Sequence, residues 1–416
     1  MLRTKRCQCV QPASKLELQE VEENNQYIEF LHNERQRIDA GSLPVLNARR
    51  DEAAAAFERL GFPSQKVERY KYTDVAAAFA PNYGISLSSN RPTAEEPPSS
   101  ISALYGTLAD INVDSITALN TMLVQELIVI HIPANERKEH PIHITNTLRA
   151  TSPLMQNRRL LIVAEEGASA QVIINDKADS GADFLTTQVT EVFVGKGAKV
   201  EVYDIEDTHE RFNRFHQFYA KVSSGGHLTH AAFSFAGGIS RNQTDIHLVG
   251  KGAFVHLLGC AITSGKQHVD NNTLIDHQAV GCTSRELYKY VVDQQATGAF
   301  AGRVIVREGA QQTDSEEQNA NLVCTDQARM WTQPMLEIYA DDVKCSHGST
   351  IGQLNAEALF YMQQRGLSES EARMLLKQAF ANEVLDEIPL EALRQRLVIQ
   401  VDKHFRSCAD CKLCKN

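Results

Sequence analysis

The chain has 416 residues, enough for two or three domains with a substantial buried core. Its net charge of −10, from 42 basic and 52 acidic side chains, argues against a nucleic-acid-binding protein. Residues 1–20 are basic without an apolar core, and no apolar run approaches the ~18 residues of a membrane span. We therefore expect a cytoplasmic protein that binds neither nucleic acid nor membrane.

The N-terminal part of the chain has a helical pattern. Residues 15 to about 80 carry spaced apolar side chains among charged ones, and an alanine-rich run ends at Gly61. A Ser- and Pro-rich stretch at 88–100 then favours a linker. We assign residues 1–120 to an N-terminal helical region with a linker.

The middle of the chain consists of short β-branched runs separated by glycine-containing corners. The corners at Gly167, Gly197, Gly226, Gly252 and Gly281 are spaced by 26 to 30 residues, a period typical of solenoids. No helical pattern lies between the runs. The spacing predicts a mainly β fold over 121–350, a β-helix or related stacked solenoid. A β-sandwich with irregular turns is the alternative.

The C-terminal part, residues 351–416, is again helical. One helix is predicted to end at Gly366, Ser368 and Glu371 have capping-box spacing, and Pro389 precedes a third helix. One face of the middle helix is an apolar stripe that packs on its own domain or serves as a docking surface. The stripe consists of Ala372, Leu375, Leu376, Ala379 and Phe380.

Signatures of enzyme chemistry are missing from the sequence. The segment 259–267 resembles a phosphate-binding loop, but five residues separate its glycines and Gln267 replaces the magnesium-binding Ser or Thr. Neither a zinc-protease motif nor a nucleophile elbow is present. We therefore expect a protein that is not an enzyme and that relies on another subunit for any ATP hydrolysis.

Three segments carry a family resemblance that covers nearly the whole chain. They are residues 68–75 (ERYKYTDV), 157–176 and, most specifically, 335–384. All three resemble the SufB/SufD family of the SUF iron–sulfur cluster assembly system. The sequence KCSHGS at 344–349 is similar to the SufD branch of that family.

The resemblance implies a right-handed parallel β-helix between helical end regions. It also implies a scaffold subunit that pairs with a SufB-like subunit and docks the SufC ATPase on its C-terminal helices. No tightly bound cofactor is expected, only transient iron or an iron–sulfur cluster shared with the SufB-like partner. A β-helix enzyme of the polysaccharide-lyase type and a purely structural homodimer are the rival interpretations. Whether the isolated chain forms a homodimer stays open.

The resemblance also implicates a histidine of the KCSHGS segment, His347, in cluster formation, with Cys345 beside it. Two residues apart in an extended chain, both side chains lie on one face, and thiolate and imidazole suit iron. Two ligands are too few for a cluster, so a partner or sulfide must supply the others. We expect His347 to lie in a turn just beyond the last strand. The alternative is that Cys345 is a packed thiol and His347 only a turn residue at an interface.

The chain ends with Cys408, Cys411 and Cys414, the first three cysteines of a ferredoxin-type run. The total of nine cysteines is odd, which favours reduced thiols or metal ligands over a disulfide framework. Three thiolates could bind iron or zinc if a fourth ligand came from elsewhere, with Cys7 and Cys9 as candidates. The alternative is a flexible tail with incidental thiols.

Overall fold

The computed structural model describes residues 15–86 and 97–409, which begin with a set of helices. A short 3₁₀ turn at Glu68–Tyr70 lies among them. The helices are α1 Lys15–Ala40, α2 Pro44–Asn47, α3 Arg50–Leu60, α4 Val75–Phe79, α5 Ser99–Ser102 and α6 Ser115–Leu123. In α4 and α6 the N-cap residues Asp74 and Asp114 accept a hydrogen bond from a free backbone amide of the first turn.

A long series of strands follows and is closed by three helices. The strands are β1 Gly84–Ile85, β2 Leu127–Ile132, β3 Ile142–Leu148, β4 Leu154–Ala164, β5 Ser169–Ala178, β6 Phe184–Val194, β7 Lys199–Glu206, β8 Phe212–Val222, β9 His227–Ser234, β10 Ile239–Leu248, β11 Phe254–Thr263, β12 His268–His277, β13 Thr283–Val292, β14 Thr297–Val306, β15 Thr313–Val323, β16 Arg329–Ile338 and β17 Val343–Gly352. The helices are α7 Ala356–Gln364, α8 Glu369–Asp386 and α9 Glu391–Ala409. The predicted capping box of α8 is present, since Ser368 and Glu371 each bond the other's backbone amide.

The strands form two parallel sheets. The first sheet runs β1-β4-β6-β8-β10-β12-β14-β16, with β2 also on β4, and the second runs β17-β15-β13-β11-β9-β7-β5-β3. From β2 onward, consecutive strands of the chain alternate between the sheets, so two strands make one coil, and about eight coils stack into a solenoid. The β-helix prediction is confirmed. A β-sandwich of this kind would be built from antiparallel strands, so the alternative is wrong.

The glycine corners explain the repeat. Gly167, Gly197, Gly252 and Gly281 occupy equivalent turns from the first sheet to the second and have φ between 63° and 69°. Only glycine adopts this backbone conformation readily. Each donates its amide to a carbonyl in the corner of the next coil, as in Gly197 N to Ser224 O at 2.9 Å. In the corner that was predicted at Gly226, the residue with positive φ is instead its neighbour Gly225.

Apolar rows fill the solenoid, and the terminal helices cover its two outer faces. The N-terminal helices pack on the first sheet through Met155, Leu185 and Phe215. The C-terminal helices pack on the second sheet in a cluster that extends from Ile173 on β5 to Leu322 on β15. Across the described ranges, no helix combines the length and apolar character needed to cross a membrane. The division of the chain near residues 120 and 350 stays a prediction, because both helical regions share packing with the solenoid.

The 68–75 segment fastens the N-terminal region to the first sheet. Arg69 bonds Asp245 at 3.0 Å, and Thr73 donates to Asp270 at 2.6 Å. Tyr72 stacks on Trp331 of β16 with ring centroids 5.1 Å apart. This segment of the resemblance therefore has a structural role, holding residues far apart in sequence on one outer face.

Candidate functional site at the open end of the solenoid

The solenoid ends with β16 and β17, and no described strand follows them on either sheet. Side chains that would be covered by a further coil are therefore exposed. Ile338 and Ile351 occupy inward-facing rows, yet they are 42% and 53% exposed. Ile351 also lines a shallow cavity of about 680 Å³, together with Met330 and Trp331 among others. Unpaired strand edges together with exposed apolar groups are typical of a surface that another chain covers.

Cys345 and His347 both lie on this last coil. The expectation that His347 occupies a turn beyond the last strand is wrong, because β17 extends to Gly352 and pairs with β15 throughout. Gly348 and the neighbouring serines resemble turn chemistry, but the ladder to β15 keeps this segment extended. Cys345 is half-buried against the solenoid core, whereas His347 is exposed.

Two buried glutamates lie in the same row as His347, and no sequence pattern pointed to them. Glu317 on β15 is the register partner of His347, and Glu286 on β13 is the partner of Glu317. Register partners in a parallel sheet share a face and are about 4.8 Å apart. Glu286 and Glu317 are only 2% and 1% exposed. The row Glu286–Glu317–His347 therefore leads from the interior to the open end.

The two buried carboxyl groups have few hydrogen-bonding partners. Thr273 donates to one oxygen of Glu286 at 2.7 Å, and neither oxygen of Glu317 accepts a hydrogen bond from any described residue. Gly302 on the facing sheet makes room, since a methyl group there would lie 2.2 Å from Glu317 Oε1. Burial raises the pKa of Glu286 to about 7, and burial with the charge of Glu286 raises the pKa of Glu317 to about 9. At neutral pH this row therefore holds at least one proton.

Cys345 has its own row of register partners, Ser284 and Ser315. The hydroxyl of Ser284 donates to that of Ser315 at 2.7 Å. Burial raises the pKa of the Cys345 thiol, so the group is protonated at neutral pH and must lose its proton to bind metal.

Farther from the open end, the solenoid interior contains a closed ionic network. Asp176 accepts from Arg158 at 2.9 Å and from Arg214 at 2.8 Å, and Asp204 accepts from Arg214 at 2.5 Å. His216 Nδ1 lies 2.5 Å from the second oxygen of Asp204. Although burial alone would raise the pKa of Asp204, Arg214 and His216 hold it well below its usual range. Every charge in this network has an opposite partner.

The described residues contain no group of three or more His, Cys, Asp or Glu side chains arranged to hold a metal ion. Metal binding by Cys345 and His347 would thus need ligands from outside the described chain. Cys408 lies in α9, but its side chain is outside the description, as are Cys411 and Cys414. Cys7 and Cys9 also lie outside the described residues.

The apolar stripe of α8 divides between the interior and the surface. Ala372 is fully buried, and Phe380 packs in the cluster that joins α8 to the solenoid. Leu376 is half-buried, whereas Leu375 and Ala379 are exposed. The neighbouring helix α7 adds Phe360 and Tyr361, which are 62% and 59% exposed. The guanidinium of Arg365, one turn later, lies over the Tyr361 ring at 5.1 Å from its centroid.

Comparison with known proteins finds two family matches that together span most of the chain. The core domain described as "SUF system FeS cluster assembly, SufBD core domain" matches residues 145–380. The "SufBD protein N-terminal region" matches residues 21–95 and 84–144. The core match alone covers more than half of the chain.

Individual relatives show the same likeness. An iron–sulfur cluster assembly SufBD family protein of Synechocystis is 32% identical over 305 residues, 71% of this chain and 65% of that protein. The iron–sulfur cluster assembly protein SufD of Escherichia coli is 27% identical over 291 residues, 69% of each chain. A SufBD family protein of Mycobacterium leprae is 27% identical over 300 residues, 70% of this chain and 75% of that one.

Proposed function

Because the chain belongs to the SufBD family of the SUF iron–sulfur cluster assembly system, we propose that it is the SufD-type scaffold subunit of that system. In this proposal it is not itself an enzyme. It pairs with a SufB-like subunit, docks the SufC ATPase and contributes to building nascent clusters that are passed on. The observation that carries the proposal is the open end of the solenoid, where His347 and Cys345 lie on an edge strand that pairs with β15 on one side only.

The open end supports pairing through the β-helices. A partner solenoid that stacks on β16 and β17 would satisfy their free backbone groups and cover Ile338 and Ile351. The same contact would bring His347 next to side chains of the partner. The ligands that the described chain lacks would then come from the partner or from sulfide.

The chemistry of His347 suits a transient site. A neutral imidazole binds iron less tightly than a thiolate does, and the weaker binding favours release of a finished cluster. Cys345 begins as a protonated thiol, so it would support the site after losing a proton. The proton-holding glutamates beneath His347 would let local charge adjust as cationic iron arrives.

The test is the iron and sulfide content of complexes assembled with His347→Ala. We expect cluster yield to fall sharply while folding and complex formation stay nearly intact, because an exposed strand residue rarely contributes more than ~1 kcal/mol. Cys345→Ser is expected to lower cluster yield less. Wild-type yield from a stable His347→Ala complex would contradict the assignment.

A matched control is available at the other end of the same sheet. His143 is an exposed histidine on β3, the opposite edge strand. His143→Ala should leave cluster yield unchanged. An equal fall in both variants would show that any edge histidine matters for assembly and that His347 has no special role.

For ATPase docking we propose the exposed face of the C-terminal helices, formed by Phe360, Tyr361, Leu375 and Ala379. Large exposed aromatic groups are the usual anchors of protein interfaces. Deleting residues 351–416 should abolish ATPase binding while the SufB-like subunit still pairs. Because that deletion also uncovers the second sheet, the double variant Phe360→Ser/Leu375→Ser is the sharper test.

We expect the double variant to weaken ATPase binding at least tenfold in a direct binding titration, with an unchanged thermal melt. Val113→Ser is the control, since Val113 is a 74% exposed apolar residue of the N-terminal region. Full ATPase affinity in the double variant would place the docking surface elsewhere.

A further inference from the structure

The carboxyl group of Glu317 lies one strand below the edge strand β17 and has no hydrogen-bonding partner among the described residues. Glu317 is 1% exposed, and neither of its oxygens accepts a hydrogen bond from them. Its register partner on β17 is His347, so both side chains leave the same face of the sheet from positions about 4.8 Å apart. A buried carboxyl group without a donor costs free energy, which a neighbouring donor would have avoided.

The facing sheet supplies a donor to the deeper glutamate but none to Glu317. Across the core from Glu286, Thr273 donates to its carboxyl group at 2.7 Å. The register partner of Thr273 in the next coil is Gly302, which faces Glu317 and has no side chain. The register partner of Gly302 in the last coil is Pro334, whose side chain has no donor either. Glu317 is therefore left with free oxygens at the level next to the open end.

The charges around Glu317 also leave room for a cation. Burial and the charge of Glu286 both raise the pKa of its carboxyl group, because each disfavours the ionised form. An ion that arrives from the open end would meet the exposed side chain of His347 first and that of Glu317 directly below it. A positive charge at this point would stabilise the carboxylate that the surrounding protein does not.

We propose that Glu317 and His347 together receive a divalent iron ion at the open end, a step that rests on the function proposed above and precedes cluster formation. Carboxylate oxygen and imidazole nitrogen are both ligands of Fe²⁺ in proteins. The ion would contact one oxygen of Glu317 and one ring nitrogen of His347, with water or partner groups in its other positions. Finished clusters are bound mainly by thiolates, so this pair favours the free ion over a preformed cluster.

Ion binding would change the protonation of Glu317. Because its pKa is raised by burial, the carboxyl group holds a proton at neutral pH. When the ion binds, that proton passes to solvent and the carboxylate becomes a ligand, while Glu286 keeps the hydrogen bond from Thr273. One proton therefore leaves Glu317 for each ion bound there, and no electron is transferred.

The experiment uses the full-length chain under anaerobic conditions. Mn²⁺ is the first probe, because it prefers oxygen and nitrogen ligands and its electron paramagnetic resonance signal distinguishes free from bound ions. We expect one Mn²⁺ ion to bind, with affinity at least tenfold weaker in Glu317→Gln and in His347→Ala. Glu316→Gln is the matched control, since Glu316 is the next residue of the same strand and its side chain lies on the opposite face. This control should bind Mn²⁺ like wild type.

A second arm titrates Fe²⁺ in weakly buffered solution and measures proton release with a pH indicator. The wild-type chain should release about one more proton per ion than Glu317→Gln, because Gln has no proton to lose in this range. A purely structural role of Glu317 would not produce that difference. Thermal melts of each variant check that the fold is intact, and Gln preserves the shape of the side chain it replaces.

The cluster yield of the assembled complex separates this proposal from the proposed function. If His347→Ala lowers the yield while a folded Glu317→Gln binds Mn²⁺ and releases protons like wild type, the function stands and Glu317 is not a ligand. If both variants lose Mn²⁺ but His347→Ala leaves the yield unchanged, the ion-binding pair is confirmed and the proposed function is contradicted. A wild-type chain that binds no Mn²⁺, or an equal loss in Glu316→Gln, would overturn the proposal.

Discussion

The solenoid interior contains buried charge in two places, and the two are arranged differently. In the middle coils Asp176 and Asp204 are enclosed by Arg158, Arg214 and His216, so each charge has a partner. Near the open end, Glu286 and Glu317 lie one above the other without a cation among the described residues beside them.

The difference shows how to interpret buried polar groups. A closed network stabilises a particular arrangement of coils, and removing one partner leaves an uncompensated charge. Uncompensated acids, in contrast, avoid that penalty by holding protons and lower the stability of the fold when they ionise. Their place below His347 agrees with the role that we propose for that residue, whereas the ionic network has a structural role.

The largest expected effect comes from breaking the closed network with Asp176→Ala. This change leaves Arg158 and Arg214 without one of their carboxylate partners inside the solenoid. We expect the free energy of unfolding to fall by about 3–5 kcal/mol in denaturant titrations. The control is Asp183→Ala, which removes an exposed ion pair to Arg211 and should cost about 0–1 kcal/mol. Similar losses of unfolding free energy in both variants would show that the buried network stabilises the fold no more than an exposed ion pair does.

Glu317→Gln is expected to change the free energy of unfolding by a smaller amount, and to raise it instead of lowering it. The pKa of Glu317 is about 9 in the folded chain and near 4.5 when unfolded, so the folded state holds the proton more tightly. The resulting stabilisation is complete below about pH 4.5 and is lost as pH rises through about 9. Replacing Glu317 by neutral Gln should reduce the fall in unfolding free energy between pH 5 and 9 by on the order of 2 kcal/mol. An unchanged pH profile would mean that Glu317 is already ionised in the native state.

The smallest of these effects is expected from Glu286→Gln. Thr273 donates to this carboxyl group, and its pKa is raised only to about 7. Its contribution is therefore lost between about pH 4.5 and 7, and the variant should flatten that part of the profile by about 1 kcal/mol. Measuring both single variants and the double variant gives the coupling between the two acids. Strictly additive effects would show that the carboxyl groups do not influence each other.

Much of the fold could be predicted from the sequence because local chemistry determines it. A glycine is needed wherever a corner requires positive φ, so Gly167, Gly197, Gly252 and Gly281 mark the coil period directly. The capping box at Ser368 and Glu371 is likewise a local pattern. The confirmed family assignment came from longer segments, chiefly residues 335–384.

The site was predicted only in part, because its geometry depends on register between distant strands. Glu286, Glu317 and His347 are about 30 residues apart, and a shift of one residue would turn any of them to the outer face. The prediction placed His347 in a turn, but hydrogen bonding to β15 keeps this segment extended despite its weak local β-propensity.

The C-terminal helices cross the outer face of the second sheet from β5 to β15 and stop short of β17. They therefore connect successive coils into one cooperative unit, while β17 is hydrogen-bonded to a single neighbouring strand. In amide hydrogen exchange, β17 should lose protection well before the strands that the helices cover. An edge that loosens without unfolding the rest can adjust its shape to an incoming surface, and the rigid coils behind it keep the row of acids in place.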